Sequence, residues 1–172
     1  MKVMGTIEQC REKLWSDLNQ LLAAIRAISL ESLSSVDDAM SVLFSLRKKI
    51  YEDLNQIQHE HALIKALEWL IVYRPAVQTF NWHWNPRSTG TMNEPDLQGI
   101  FGDEVRIAAE VTTSGNPKGV IDNRMAKTLA KLSIMSGDRF YFVVSPSMAK
   151  RARTKVAKSG YEIVVVDLSE AI

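Results

Sequence analysis

Apolar residues recur at three- and four-residue spacings, or multiples of them, along the first third of the chain. Ile7, Leu14, Leu18, Leu21, Ile25 and Ile28 share one stripe, the pattern of an amphipathic helix packed along a seam. Thr6 and Gln9 have the spacing of a capping box just before it. After a break at residues 29–35, Val36, Met40, Leu43, Arg47, Ile50, Leu54, Ile57, His61 and Ile64 resume the rhythm. Arg47 and His61 interrupt the seam, either fixing its register or marking where it meets solvent. The pattern predicts helices over 6–28 and 36–73, forming a long antiparallel hairpin that packs on the rest of the chain or against a second copy. Residues 62–73 are apolar on most sides, so that end should be buried. Arg74-Pro75 ends the helix, because proline disfavours helical geometry in the residue before it.

Beyond Pro75 the period changes to two. Phe80, Trp82 and Trp84 alternate with Thr79, Asn81 and His83, which predicts a strand over 76–84 with one aromatic face. Residues 85–93 are rich in turn formers. Residues 96–101 and 105–113 read as two more strands around Gly102-Asp103-Glu104. A helix follows over 121–135, with Ile121, Met125, Leu129 and Leu132 as its apolar stripe and Arg124, Lys127 and Lys131 as a basic one. A short apolar strand at 140–144, a helix at 146–159 stopped by Gly160, and a strand at 161–168 complete the chain. This alternation implies an α/β fold whose sheet has parallel members. Two units are expected: a helical hairpin over 1–61 and an α/β core over 62–172.

The hairpin at 96–113 carries the chemistry. If Gly102-Asp103-Glu104 forms the loop, Leu97, Gly99 and Phe101 face Ala109, Ile107 and Val105 on one apolar side. The same register sets Asp96 opposite Glu110. A slip by one residue would put Arg106 and Glu110 against the apolar set, which is costly where one face is buried. Two carboxylates at cross-strand distance repel and raise each other's pKa unless a cation lies between them. Their hard oxygens suit Mg²⁺, with Mn²⁺ as a substitute, and such an ion presents water to a phosphodiester. The plain alternative is a hairpin with two exposed acids.

Pro95-Asp96, followed by Glu110-Val111-Thr112 on the next strand, resembles the PD-(D/E)xK nuclease superfamily. The order of elements from about residue 62 to 168 is also similar to that restriction-endonuclease-like fold. The resemblance implies a mixed sheet flanked by helices and a Mg²⁺-dependent DNA endonuclease. It makes Asp96 and Glu110 the metal ligands, with the Val111 carbonyl as a third. The chain departs from the pattern where the superfamily has a lysine, at Thr112. That position shares a face with Glu110 but lacks a cation to stabilise developing negative charge. Lys127 is the first candidate to replace it and Lys118, in the following loop, the second. Glu68 is a candidate for an extra acid near the metal, as is His83 for a neighbour of the site.

Charge sharpens this reading. Across residues 114–160 there are ten cationic residues against two acids, a local charge of +8 in a chain whose net charge is +1. Such a concentration attracts a polyanion. Lys118, Arg124, Lys131, Arg151 and Lys155 are the expected DNA contacts, with Arg87 in the 85–93 loop. A lone Cys10 excludes a disulfide framework and fits a cytoplasmic protein. His59, Glu60 and His61 point in diverging directions on a helix and read as surface and seam residues. No run is long enough for a membrane span, no Gly-x-Ser-x-Gly elbow appears, and the 114–119 loop is no P-loop. Three functions follow in order: the endonuclease, a nuclease-fold nucleic-acid-binding protein without chemistry, and an interaction protein working through the helical hairpin, with a homodimer expected.

Overall fold

The computed structural model describes residues 1–28, 34–86 and 94–170. The hydrophobic seam builds α1 (Ile7–Ile28) and α2 (Val36–Tyr73), both close to the sequence expectation. The capping box forms: Thr6 N–H donates to Gln9 Oε1 at 2.9 Å and Gln9 N–H to Thr6 Oγ1 at 3.2 Å. Ser35 caps α2 by accepting from the Asp38 N–H at 3.0 Å. The helices run antiparallel, since Arg11 pairs with Glu68 and Lys13 with Glu60. The break expected at 29–35 lies mostly outside the described residues.

Among the described residues the sheet has six strands in the order β1 (Lys2–Val3), β2 (Asn81–Trp84), β3 (Leu97–Phe101), β4 (Glu104–Thr112), β5 (Asp138–Val143) and β6 (Val164–Asp167). β1 to β4 are antiparallel, while β4, β5 and β6 are parallel. α3 (Val120–Ser133) and α4 (Pro146–Ser159) supply the crossovers, as parallel neighbours require. The architecture is therefore mixed α/β, a six-stranded mixed sheet flanked by helices. One core lies between the sheet and α1/α2, with Leu63, Leu70, Leu97 and Phe142 among its buried members. The other joins Ala108 and Tyr141 to Met125, Leu129 and Met148 of α3 and α4. Cys10, 4 % exposed, sits in the first of these.

Three local expectations change. The chain after α2 is a 3-10 turn over Pro75–Thr79, not the start of a strand. Proline favours the first position of such a turn, and the Thr79 hydroxyl donates back to the Ala76 carbonyl at 3.3 Å. A two-residue strand, β1, precedes α1, too short to leave a periodic signal. The hairpin register holds at Leu97↔Ala109 and Gly99↔Ile107 but shifts beyond, pairing Ile100 with Val105 and Phe101 with Glu104. Arg106 is the extra residue of the bulge, and the turn shrinks to Gly102-Asp103, with Gly102 at a φ of 62°. Phe101 therefore does not face Val105; it is half exposed and lies 5.6 Å from the Phe80 ring, centroid to centroid.

Gly99 makes the inner part of this register possible. A Cβ there would meet the Trp82 ring at 3.0 Å and the Phe80 ring at 3.1 Å. Gly99→Ala is expected to destabilise the fold by about 1–3 kcal/mol through overpacking. Urea unfolding that leaves the midpoint unchanged would show that the two rings yield without cost.

Candidate functional site

β4 alternates Ala108, Glu110 and Thr112 toward α3 and Ile107, Ala109 and Val111 toward α2. Continuing the Leu97↔Ala109 pairing by one residue brings Asp96 across from Glu110. Both carboxylates are almost fully buried, at 8 % and 6 % exposure. The Val111 N–H donates to Asp96 Oδ2 at 2.9 Å. A strand residue directs its N–H and C=O to the same edge, so the Val111 carbonyl is aimed to the side Asp96 occupies. A cleft of about 300 Å³ opens there, lined by His59, Asp96, Glu110, Thr112, Arg124 and Thr128 among others. A cavity of about 490 Å³ at the other end of the sheet, by Phe80 and Gly137, has no such pair of carboxylates.

Burial, and then the Asp96 charge, push the Glu110 carboxyl up to about 7 against the partial relief given by Lys131. Oε1 of Glu110 is buried and makes no aligned hydrogen bond among the described residues. Its compensation is the Lys131 ammonium, an ion-pair contact at 2.5 Å. Lys131 also donates to the Glu94 carbonyl at 2.7 Å, which fixes the chain just before Asp96.

On the other side of Asp96, His59 Nε2 lies 3.4 Å from Oδ2 and Nδ1 lies 3.3 Å from the Pro86 carbonyl. Burial disfavours the imidazolium, but Asp96, the Pro86 carbonyl and Glu110 outweigh it and raise the His59 pKa. Thr112 Oγ1 accepts from the Tyr141 hydroxyl at 2.8 Å. The buried Tyr141 is itself pushed up to about 12, by burial first, despite that bond.

The metal-free protein should show the strain of this arrangement in its pH dependence. Glu110 has an ordinary pKa of 4.5 and a folded value of about 7, so the folded state binds more protons between those limits. Its contribution is complete below pH 4.5 and lost as pH rises through 7. The loss is on the order of 3 kcal/mol. His59, also raised, acts in the same direction. His61, lowered by burial first, acts oppositely within the same window, while Asp38 and Asp122, both lowered, do so only as pH falls below the ordinary aspartate range. Glu110→Gln should therefore flatten the decline in stability between pH 5 and 8. Parallel wild-type and variant curves in denaturant titrations across that range would refute the burial argument.

The sequence candidates divide clearly by position. Asp96, Glu110, Thr112 and Arg124 meet at the cleft. Lys131, expected only as a DNA contact, is the ammonium that reaches Glu110. Lys127 and Lys118 are exposed and do not line the cleft. Arg151 and Lys155 join α4 to α3 through Asp122, with Arg151 at 2.7 and 2.9 Å and Lys155 at 3.1 Å. That pairing, Arg151 foremost, holds Asp122 well below the usual carboxylate range. Glu68 is tied to Arg11 and Lys65 instead of approaching the cleft, and His83 does not line it either. Arg87 lies outside the described residues.

His59, expected at the surface or seam, instead stands at the cleft. Its one signal was the His59-Glu60-His61 cluster on a helix whose next three residues, Ala62, Leu63 and Ile64, are buried. Glu60, 1 % exposed, lies inward on Lys13 and Gln56, which turns His59 to the side where Pro86 and Asp96 pass.

No protein-family model matches this chain, and neither a curated protein nor a solved structure does. Among the described residues no three His, Cys, Asp or Glu side chains form a metal-holding group, and no helix is long and apolar enough to cross a membrane.

Proposed function

We propose that this protein is a Mg²⁺-dependent endonuclease acting on DNA, built on a restriction-endonuclease-like core. One observation carries the reading: Asp96 and Glu110 are buried side by side on one sheet face, at a cleft that Arg124 also lines. The order helix, three antiparallel strands, helix and parallel strand, from α2 to β5, supports it as well.

The donor set fits a hard divalent ion. Glu110 Oε1 is buried against the Lys131 ammonium, and the Asp96 repulsion that adds to burial in raising Glu110 is what a cation between the carboxyls would remove. Two carboxylates and a main-chain carbonyl leave coordination positions open, and Mg²⁺ commonly keeps several waters. Asp96, Glu110 and the Val111 carbonyl would hold the ion. When bound, Mg²⁺ lowers the pKa of a water and neutralises charge on a phosphoryl oxygen.

The chain's own residues do the rest. The Val111 N–H and His59 orient the Asp96 carboxylate. Lys131, which reaches Glu110 from the side of Pro95 and Gln98 and not from the cleft lining, keeps part of Glu110 ionised near neutral pH. Arg124 faces a phosphate entering the cleft. The test is incubation of plasmid and linear DNA with Mg²⁺ or Mn²⁺, together with thermal melting at pH 8. Cleavage and a melting temperature raised by either ion are expected. Intact DNA with no ion-dependent stabilisation would overturn the reading.

A second reading is favoured by Thr112 and by the Lys131–Glu110 pair, which occupies one carboxylate oxygen. In it the same surface holds nucleic acid without cutting. Salt-sensitive DNA binding with no cleavage in either ion would select it.

A further inference from the structure

The hairpin formed by α1 and α2 buries one side and leaves another apolar. On α2, Met40, Leu43, Phe44 and Leu54 are 44 %, 54 %, 63 % and 41 % exposed. At about 100° per residue they fall within a single arc roughly 100° wide. That arc is distinct from the α2 side that meets α1, where Asp53, Gln56, Ile57 and Glu60 approach Asp17, Leu21 and Lys13. On α1, Leu22 and Ile25 are also exposed, at 40 % and 39 %. By the same rotation they lie on the side of the hairpin marked by the Arg11–Glu68 pair, as the α2 arc does. Arg47 is the one charge within the arc on α2.

We infer that this face binds a second copy of the chain, hairpin on hairpin, as a four-helix layer. The area argues for it. A large apolar side chain carries roughly 150–250 Å², so six of them about half exposed offer on the order of 500 Å² per chain. Two copies would then cover about 1,000 Å² of apolar surface, and interfaces are roughly 60 % apolar. The implied total, about 1,700 Å², is that of a standard stable interface. A two-fold arrangement needs only the one patch on each copy. Arg47 on α2 and Arg26, one turn beyond Leu22 on α1, are too few charges to select an acidic or basic partner, whereas a matching apolar face covers the patch. Beyond residue 57 the same side of α2 turns polar with Gln58, His61 and Lys65, which bounds the patch short of the sheet.

Sedimentation equilibrium over 1–100 μM reads the mass directly. Twice the 19.4 kDa of the chain is expected for the intact protein. Phe44→Glu and, separately, Leu43→Glu should raise the dissociation constant at least tenfold while helical circular dichroism stays unchanged. Both positions are already solvent-exposed in the single chain, so a folded monomer is the expected product. A monomeric parent protein across the range would overturn the inference, leaving the face for a different partner. So would a dimer that both substitutions leave intact, because the contact would then lie elsewhere. If one variant loses helix signal, the other decides.

Discussion

Asp96→Ala is expected to lower the proposed Mg²⁺-dependent cleavage of DNA by a thousand-fold or more, about 4 kcal/mol of barrier. The side chain has two duties in the structure. It offers carboxylate oxygens beside Glu110, and its Oδ2 takes the Val111 N–H at 2.9 Å. Alanine removes the ligand and leaves a buried N–H without its partner, which costs about 1–3 kcal/mol. It also removes the charge that repels Glu110, so the net stability change should be small while activity collapses. Asp96→Asn separates the duties, since its amide oxygen still accepts from Val111 but binds a divalent cation poorly. It should be as inactive as the alanine variant, better folded, and no longer stabilised by Mg²⁺ in melting experiments. Activity within tenfold of the parent in either variant would remove Asp96 from the proposed metal site.

Lys131→Met carries the second large effect, a fall of about a hundred-fold at pH 7, or some 2.7 kcal/mol. Lys131 is the group that lowers Glu110 against burial and the Asp96 charge. Without it Glu110 titrates still higher, so the carboxylate becomes the main form only at more alkaline pH. The pH–rate profile should move upward together with the loss of rate, and Lys131→Arg should recover part of both. Lys127→Met is the control. It lies on the same helix but is exposed and away from the cleft, so less than a twofold change is expected. If Lys127→Met proves the costly substitution, or the profile keeps its position in Lys131→Met, the role given to Lys131 is wrong.

The sequence carried the helices better than the cleft. Periodicity and two local signals, the Thr6–Gln9 box and Arg74-Pro75, located α1 and α2 because helix formation there depends on residues close in the chain. The hairpin register near Asp96 was legible for a related reason: only one alignment made an apolar face of Leu97, Gly99, Ile107 and Ala109. At the tip that logic ran out. Phe101 and Val105 are both apolar, but the Gly102-Asp103 turn preferred the tighter pairing, and a bulge at Arg106 absorbed the difference.

The rim of the cleft depends on contacts between distant segments. His59 reaches Asp96 across 37 positions of sequence, and only the path of the chain at Asn85-Pro86 brings them together. Lys131 and Lys127 belong to one basic stripe on α3, separated by little more than one turn. Which of the two meets Glu110 depends on how α3 is rolled against Ala108 and Tyr141, and no local pattern records that angle.

Cys10 offers a last consequence. Its thiol is enclosed by the core under β1 and α1, and burial raises its pKa, so a soluble alkylating reagent has neither access nor thiolate in the folded chain. Being the sole sulfhydryl, it becomes a built-in clock: its modification rate counts how often the N-terminal segment peels from the sheet, and no engineered label is needed.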